Sequence, residues 1–252
     1  MEKITNYNID PLFPKDYEVL FFHAHPDDET FLNAGILYHL LWLWRKCSII
    51  YCAAWILFRD EDRFIRQKEI IDINDKFLNC EHIHFLDFLD SKYKWKKSFS
   101  NYSLWDIVKS VQQYLSFDGK YVFVWYDKRW GYWHKDHIKL NRVISRLNKV
   151  VPQDHLYYEI TLNESFWKDR LKKYSQRLNK NQLPETRYWS KEFWTEESKI
   201  SYFYELTNKE LAIKRAMFES YKSQISESEF PLSLPFKYFS MLFGIEYLNK
   251  WI

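Results

Sequence analysis

Val19-Leu20-Phe21-Phe22-His23-Ala24-His25-Pro26-Asp27-Asp28-Glu29-Thr30 is the stretch on which the fold turns. Val19 to His23 is an apolar run of strand length. It breaks at once into a dense polar turn, and Thr30 to Trp44 then carries apolar residues all round, as a helix packed between a sheet and other elements does. The same unit recurs along the chain. Ser48 to Ala54 is a second strand, and Asp60 to Leu78 follows as an amphipathic helix with Ile70, Ile73 and Phe77 on one face. His82 to Leu86 is a third strand. Ser103 with Asp106 opens a helix carrying Leu104, Ile107, Val108, Val111 and Leu115, which ends near Gly119. Tyr121 to Trp125 is a fourth strand, Ile138 to Leu147 a helical stripe, and His155 to Ile160 a fifth strand. Strand alternating with helix over residues 19–160 predicts an α/β fold: a Rossmann-like, mainly parallel sheet with helices on both faces. Ligands of such sheets sit beyond the carboxyl ends of the strands.

The rest of the sequence narrows the classes. Its 252 residues are expected to form one α/β domain over 1–252. Only Gly35, Gly119, Gly131 and Gly244 are glycines, and no two are closer than 12 positions, so the dinucleotide fingerprint G-x-G-x-x-G and the phosphate-binding P-loop are both excluded. A net charge of +3 does not call for a nucleic acid or an anionic membrane. Cys47, Cys52 and Cys80 allow neither a disulfide framework nor a four-cysteine zinc site, which suits a reducing cytoplasm. The start shows no signal-peptide pattern, and Gly35 to Phe58, though long enough to span a bilayer, carries Arg45 and Lys46 at its centre. Glu164 to Lys191 has eight Lys or Arg against three Asp or Glu and is expected to be a basic insertion or flap. Asn208 to Gln224 is helical, and the aromatic tail Phe236 to Trp251 is expected to dock on the body.

Two clusters carry the chemistry. His25 and Asp28, after the first strand, supply an imidazole and a carboxylate, the ligand types of a catalytic Zn²⁺ that keeps one position open, and leave Asp27 beside them. His134-Lys135-Asp136-His137 follows the fourth strand and precedes a helix, so it too lies at the carboxyl edge and would complete a three-ligand site. His39, His82, His84 and His155 lie within predicted helix or strand and are expected to be structural.

At these residues the sequence resembles the PIG-L or LmbE-like family of zinc-dependent N-acetyl-sugar deacetylases, whose motifs are A-H-P-D-D-E and H-x-D-H. Residues 24–29 match the first fully and 134–137 the second, with Lys135 where many members have proline. Fainter family features follow in order: Arg66-x-x-Glu69, Asp90, Lys214, Tyr221-x-Ser223-Gln224 and Gly244-x-Glu246. The resemblance implies metal coordination by His25, Asp28 and His137, Asp27 as general base, and His134 facing the scissile carbonyl. On that reading Asp136 either holds the His134 ring and raises its pKa or supports a ligand histidine from behind. Zn²⁺ is the expected cofactor, although two His and one carboxylate also describe an Fe²⁺ site or that of another divalent metal.

The departures from the family concern substrate. Ala53-Ala54-Trp55-Ile56-Leu57-Phe58 replaces a threonine- and glycine-containing segment, making that wall bulkier and more apolar. Arg66, Trp55 and Trp133 are the expected substrate contacts; Trp130 and Tyr132 are open to stacking on a substrate or to ordinary packing, and Lys92, Lys94, Lys96, Lys97 and Arg129 to meeting a phosphate or, as is usual for such loops, to simple solvation. The partner that the resemblance implies is a small N-acetylated sugar or nucleotide sugar, nucleotide- or lipid-linked, with no nucleic acid. Two other readings compete. One is a metal-dependent amidase on a non-sugar amide. The other is a nucleic-acid-binding module built on Lys92 to Lys97 and Glu164 to Lys191, which leaves both histidine motifs without a role.

Overall fold

The computed structural model describes residues 1–54, 60–91, 98–116, 118–127, 134–151, 154–178, 195–226 and 230–251. In chain order the elements are β1 (Glu2–Lys3), α1 (Ile9–Leu12), β2 (Glu18–His23), α2 (Asp28–Leu32), α3 (Ala34–Trp42), β3 (Cys47–Tyr51), α4 (Asp60–Ile73), β4 (His82–Phe85), α5 (Leu104–Gln112), β5 (Tyr121–Tyr126), α6 (Lys135–Leu147), β6 (Leu156–Thr161), α7 (Glu164–Ser175), β7 (Tyr202–Glu205), α8 (Asn208–Ser220), α9 (Phe236–Phe243) and β8 (Ile245–Lys250).

The strands form one eight-stranded sheet in the order β1-β7-β8-β6-β5-β2-β3-β4. The five strands read from the sequence are its parallel block, with β2 between β3 and β5. Every residue of β3 and β5 is buried, which is why these segments read as unbroken apolar runs rather than alternating ones. Three strands lie beyond the sequence reading. β1, of two residues, is too short to stand out, β7 lies outside the strand–helix alternation of residues 19–160, and β8 sits inside the aromatic tail, where Phe236 to Phe243 is helical but Ile245 to Lys250 inserts antiparallel between β6 and β7. The tail is therefore part of the sheet as well as docked on it.

The helices also differ in detail. The long first helix divides at Asn33 into α2 and α3. The second ends in a π-helical turn, Asn74–Leu78, closed by Asn79 in the left-handed region at φ 52°. Ser103 caps α5 as expected, its hydroxyl accepting from the Asp106 N–H at 3.1 Å. Within the basic stretch, Glu164 to Ser175 is α7, whose Trp167 is buried edge-on against Phe243 of α9. Residues 179–191 of that stretch lie outside the described residues.

One long-range contact fixes the start of α3. The Glu246 carboxylate, on β8, accepts from the backbone N–H groups of Gly35 at 2.9 Å and Ile36 at 2.8 Å, satisfying helix-start donors that have no partner within the helix. Lys214 of α8 donates to the same carboxylate at 2.7 Å, with both side chains 1% exposed. Gly35 is required by close approach: a Cβ there would lie 2.6 Å from Cγ of Leu206. Removing one partner of a buried pair strands the other charge, at a cost of about 3–5 kcal/mol. Glu246→Ala is thus expected to lose about 3–5 kcal/mol of unfolding free energy in urea. A loss under about 1 kcal/mol, the scale of exposed ion pairs, would show that the pair does not hold α3.

Candidate active site

β2 ends at His23 and β5 at Tyr126, side by side and parallel, so the segments leaving them emerge at the same edge of the sheet. Beyond β2 the ladder to the β3 side continues for two more bonds, Cys52 N–H to His23 C=O at 2.8 Å and Ala53 N–H to Ala24 C=O at 2.7 Å. This carries His25 to the rim with its backbone held. The chain then turns through Asp27, whose φ of 90° lies in the left-handed region that side chains rarely adopt. Such strain costs about 1–3 kcal/mol and concentrates at functional sites. The Asp27 carbonyl accepts from the Thr30 N–H at 2.9 Å and from its hydroxyl at 2.5 Å, but its carboxylate does not cap the helix it opens.

Three side chains meet at this turn. His25 Nδ1 lies 3.3 Å from His137 Nε2 and 3.8 Å from Asp28 Oδ2, and Asp28 Oδ1 lies 3.4 Å from His137 Nε2. On its far side His25 Nε2 is 3.1 Å from Asp136 Oδ2. A carboxylate only accepts, so Nε2 carries a proton, and it is in the neutral form of the ring that Nδ1 presents a lone pair to His137 and Asp28. Asp136 Oδ2 also accepts from the Ser91 N–H at 2.8 Å. Asp90 stands 3.6 Å from His25 Nε2 and 4.0 Å from His134 Nε2, and Arg66 reaches it at 3.7 Å.

His134 differs from its sequence expectation in one respect. Its Nδ1 accepts from the Asp136 backbone N–H at 3.3 Å, making it the N-cap of α6, whereas the Asp136 carboxylate turns to His25. Burial, with His25 and His137 beside it, pushes the His134 pKa down to about 4, so the ring is neutral with its proton on Nε2. The Asp136 charge does raise His134, but by less than burial and the two histidines lower it, and the Asp136 carboxylate itself lies against His25. Burial also pushes His25 down, but Asp90, Asp136 and Asp28 outweigh it and raise it to about 9. Asp27 is held well above the ordinary carboxylate range by burial and by Asp28, against the pull of Arg66. Glu29 faces away: it accepts from Tyr221, and burial lifts its pKa to about 7.

The donor set suits a divalent cation. With bonds of about 2.0–2.1 Å, tetrahedral zinc ligands lie about 3.3–3.4 Å from one another, close to the separations among His25, His137 and Asp28. Donor atoms of His25, His134 and His137, and of His25, Asp90, His134 and Asp136, also lie within 4.8 Å of one another. Among the described residues the carboxylates of Asp27, Asp28, Asp90 and Asp136 gather here beside Arg66, and a bound cation would relieve their repulsion.

A family model described as PIG-L, GlcNAc-PI de-N-acetylase, matches residues 20–148, more than half of the chain. The chain belongs to the PIG-L family. The matched span contains both histidine motifs, and solved structures similar in shape share this fold. N,N'-diacetylchitobiose deacetylase from Pyrococcus horikoshii has a TM-score of 0.61 at 13% identity, covering 97% of this chain and 86% of its own. The teicoplanin deacetylase Orf2, in a zinc-inhibited form, gives 0.58 at 14%, covering 92% and 97%. GalB, the 4-carboxy-2-hydroxymuconate hydratase of Pseudomonas putida KT2440, gives 0.56 at 10%, covering 94% and 96%. No curated protein matches the sequence. At these identities the structural likeness shows the PIG-L chain's fold and not its reaction, as the hydratase among them illustrates.

Of the sequence-chosen residues, His25, Asp28, His137, His134 and Asp136 come together, with Asp27 at the turn beside them and Arg66 joined through Asp90. Trp55 and Trp133 lie outside the described residues, as do Trp130, Tyr132, Lys92, Lys94, Lys96, Lys97 and Arg129. Tyr126 and Ser91 were not chosen. The available signal for Tyr126 was its place at the end of a buried strand, the position His23 occupies in β2. No helix among the described residues is long and apolar enough to cross a membrane. Replacing an N-cap by alanine costs about 0.5–2 kcal/mol. His134→Ala is expected to fall in that range and His134→Asn, which keeps a capping acceptor, to recover most of it, as read from urea midpoints.

Proposed function

We propose that this protein is a metal-dependent hydrolase that removes the acetyl group from an N-acetylated amino sugar or sugar conjugate. The observation that carries the reading is the convergence of His25 Nδ1, His137 Nε2 and the Asp28 carboxylate within 3.3–3.8 Å, next to Asp27, in a chain of the de-N-acetylase family. The deacetylases among its structural neighbours support the same chemistry.

His25, Asp28 and His137 are the proposed metal ligands, with Zn²⁺ as the metal the donor set favours. A divalent cation there acidifies a water and polarises an amide oxygen. Asp27, at the turn beside the ligands, takes the proton of the attacking water. His134 donates Nε2–H to the oxyanion that forms on the former carbonyl, a role that needs a fixed donor and no charge. Asp136 fixes the His25 tautomer, leaving Nδ1 free to ligate. Arg66, braced by Asp90, stands at the side of the cluster as the proposed contact to sugar hydroxyls.

The direct test is incubation of metal-replete protein with N-acetylglucosamine, its nucleotide conjugates and lipid-linked forms, reading free acetate. Release is expected from at least one of these, lost on treatment with a chelator and regained with Zn²⁺. Release from simple non-sugar acetamides alone would replace the sugar reading by the amidase one. Asp27→Asn is expected to retain metal by elemental analysis while kcat falls about 10²–10⁴-fold. A fall of less than about threefold, far below that range, would remove Asp27 from the mechanism.

A further inference from the structure

Tyr126 is the last residue of β5, and its phenol lies at the back of the cluster. The ring is buried and rests against His137, centroid to centroid 4.5 Å. Its hydroxyl does two things at once. It accepts from the Ala24 backbone N–H, at the foot of the turn, and it donates to Asp28 Oδ2 at 3.0 Å. The backbone N–H of His25 donates to the same Oδ2 at 2.8 Å. Two donors therefore converge on one oxygen of the carboxylate. The other, Oδ1, is turned to His137, 3.4 Å from its Nε2.

Ligating carboxylates bind through one oxygen or both, and the choice decides how many positions a metal has left. A carboxylate with one oxygen held by two N–H or O–H donors has to surrender those bonds before it can swing to a bidentate pose. Each such bond to a charged acceptor is worth about 1.5–3 kcal/mol net. Burial keeps water from replacing them.

We infer that Tyr126 is a positioning residue that, together with the His25 backbone N–H, pins Asp28 Oδ2 and so restricts Asp28 to single-oxygen ligation through Oδ1. This rests on the metal-dependent reading above. His25, Asp28 and His137 then contribute one atom each, and a fourth position stays open for the reacting groups. Because the same hydroxyl also binds the Ala24 N–H, Tyr126 sets the carboxylate relative to the backbone from which His25 projects. Two ligands from one turn are thereby indexed to a single group on the neighbouring strand. Tyr126 touches neither substrate nor the reacting atoms.

The test is Tyr126→Phe, which removes one oxygen from a buried ring. Zn²⁺ affinity is measured by competition with a chromophoric chelator, and the visible spectrum of the Co²⁺-loaded protein reports coordination number. Loss of a group supporting a metal ligand typically costs 10–100-fold in affinity. The variant is expected to bind Zn²⁺ about 10–100-fold more weakly than wild type, and its Co²⁺ absorption to weaken as Asp28 moves to a higher-coordinate arrangement. A merely structural role for the phenol would lower the melting temperature of the metal-free protein and leave both readouts unchanged. Affinity within about threefold of wild type, outside the expected range, together with an unchanged Co²⁺ spectrum overturns the inference. If Tyr126→Phe does not fold, X-ray absorption at the zinc edge of the wild-type protein decides. About four N or O neighbours near 2.0–2.1 Å are expected, and a longer second carboxylate oxygen in the first shell overturns it. Wild-type protein that takes up no divalent metal would overturn the metal-dependent reading itself, which a Tyr126→Phe protein indistinguishable from a metal-loaded wild type would not.

Discussion

The pairing of β2 with β5 is the constraint on which the site depends. Their register, Val19 with Val122 and Phe21 with Val124, brings two distant segments out of the sheet at one edge. Residues 25–28 arrive from one strand and 134–137 from the other. A parallel pair does this without a designed turn, because neighbouring strands that run the same way must end on the same side. The buried apolar faces of β2 and β5 hold the register, since a slip of one residue would exchange the side chains on the two faces. The chemistry at the rim is thus positioned by Val, Leu and Phe side chains that take no part in it.

Against that scaffold the rim is electrostatically expensive. Asp27, Asp28, Asp90 and Asp136 gather around His25, His134 and His137, most of them buried, and charges taken out of water are stable only when paired or hydrogen-bonded. The molecule divides the task. Asp28 and Asp136 are held in the ionised range by histidine and backbone donors, whereas Asp27 is displaced upward. Carboxylates with separated pKa values in one cleft suit separated roles, as the proposed division between Asp28 and Asp27 requires. The left-handed backbone at Asp27 stores further strain at the same point, as expected where geometry serves chemistry more than stability.

The parallel block and the two histidine motifs were legible in the sequence because both depend on local pattern. Apolar runs of strand length mark β2 to β6, and a cluster of His and Asp at a strand end marks the edge. β8 was not legible. Ile245 to Lys250 follows a helix in an aromatic-rich tail, and nothing local distinguishes an antiparallel strand inserted between β7 and β6 from a segment that packs on the surface. The orientation of Asp136 was equally out of reach, since whether its carboxylate serves His25 or His134 depends on a 3.1 Å contact across the site rather than on its place between His134 and His137. Tyr126 escaped for a related reason. In sequence it is one more aromatic residue in a strand that also carries Tyr121, Phe123 and Trp125, and only its bonds to Ala24 and Asp28 set it apart.

The contact between Glu246 and the first turn of α3 also bears on how the molecule comes into being. Every residue assigned to the cluster has left the ribosome by His137, yet the carboxylate that secures the helix behind Asp28 belongs to a strand made more than a hundred residues later, 211 positions from Gly35. A nascent chain of 150 residues would hold all the chemistry and not the clasp that keeps its leading helix in place. Competence would therefore arrive late and all at once, when β8 slides between β6 and β7. A chain truncated ahead of Glu246 would carry the whole signature and still leave α3 unanchored.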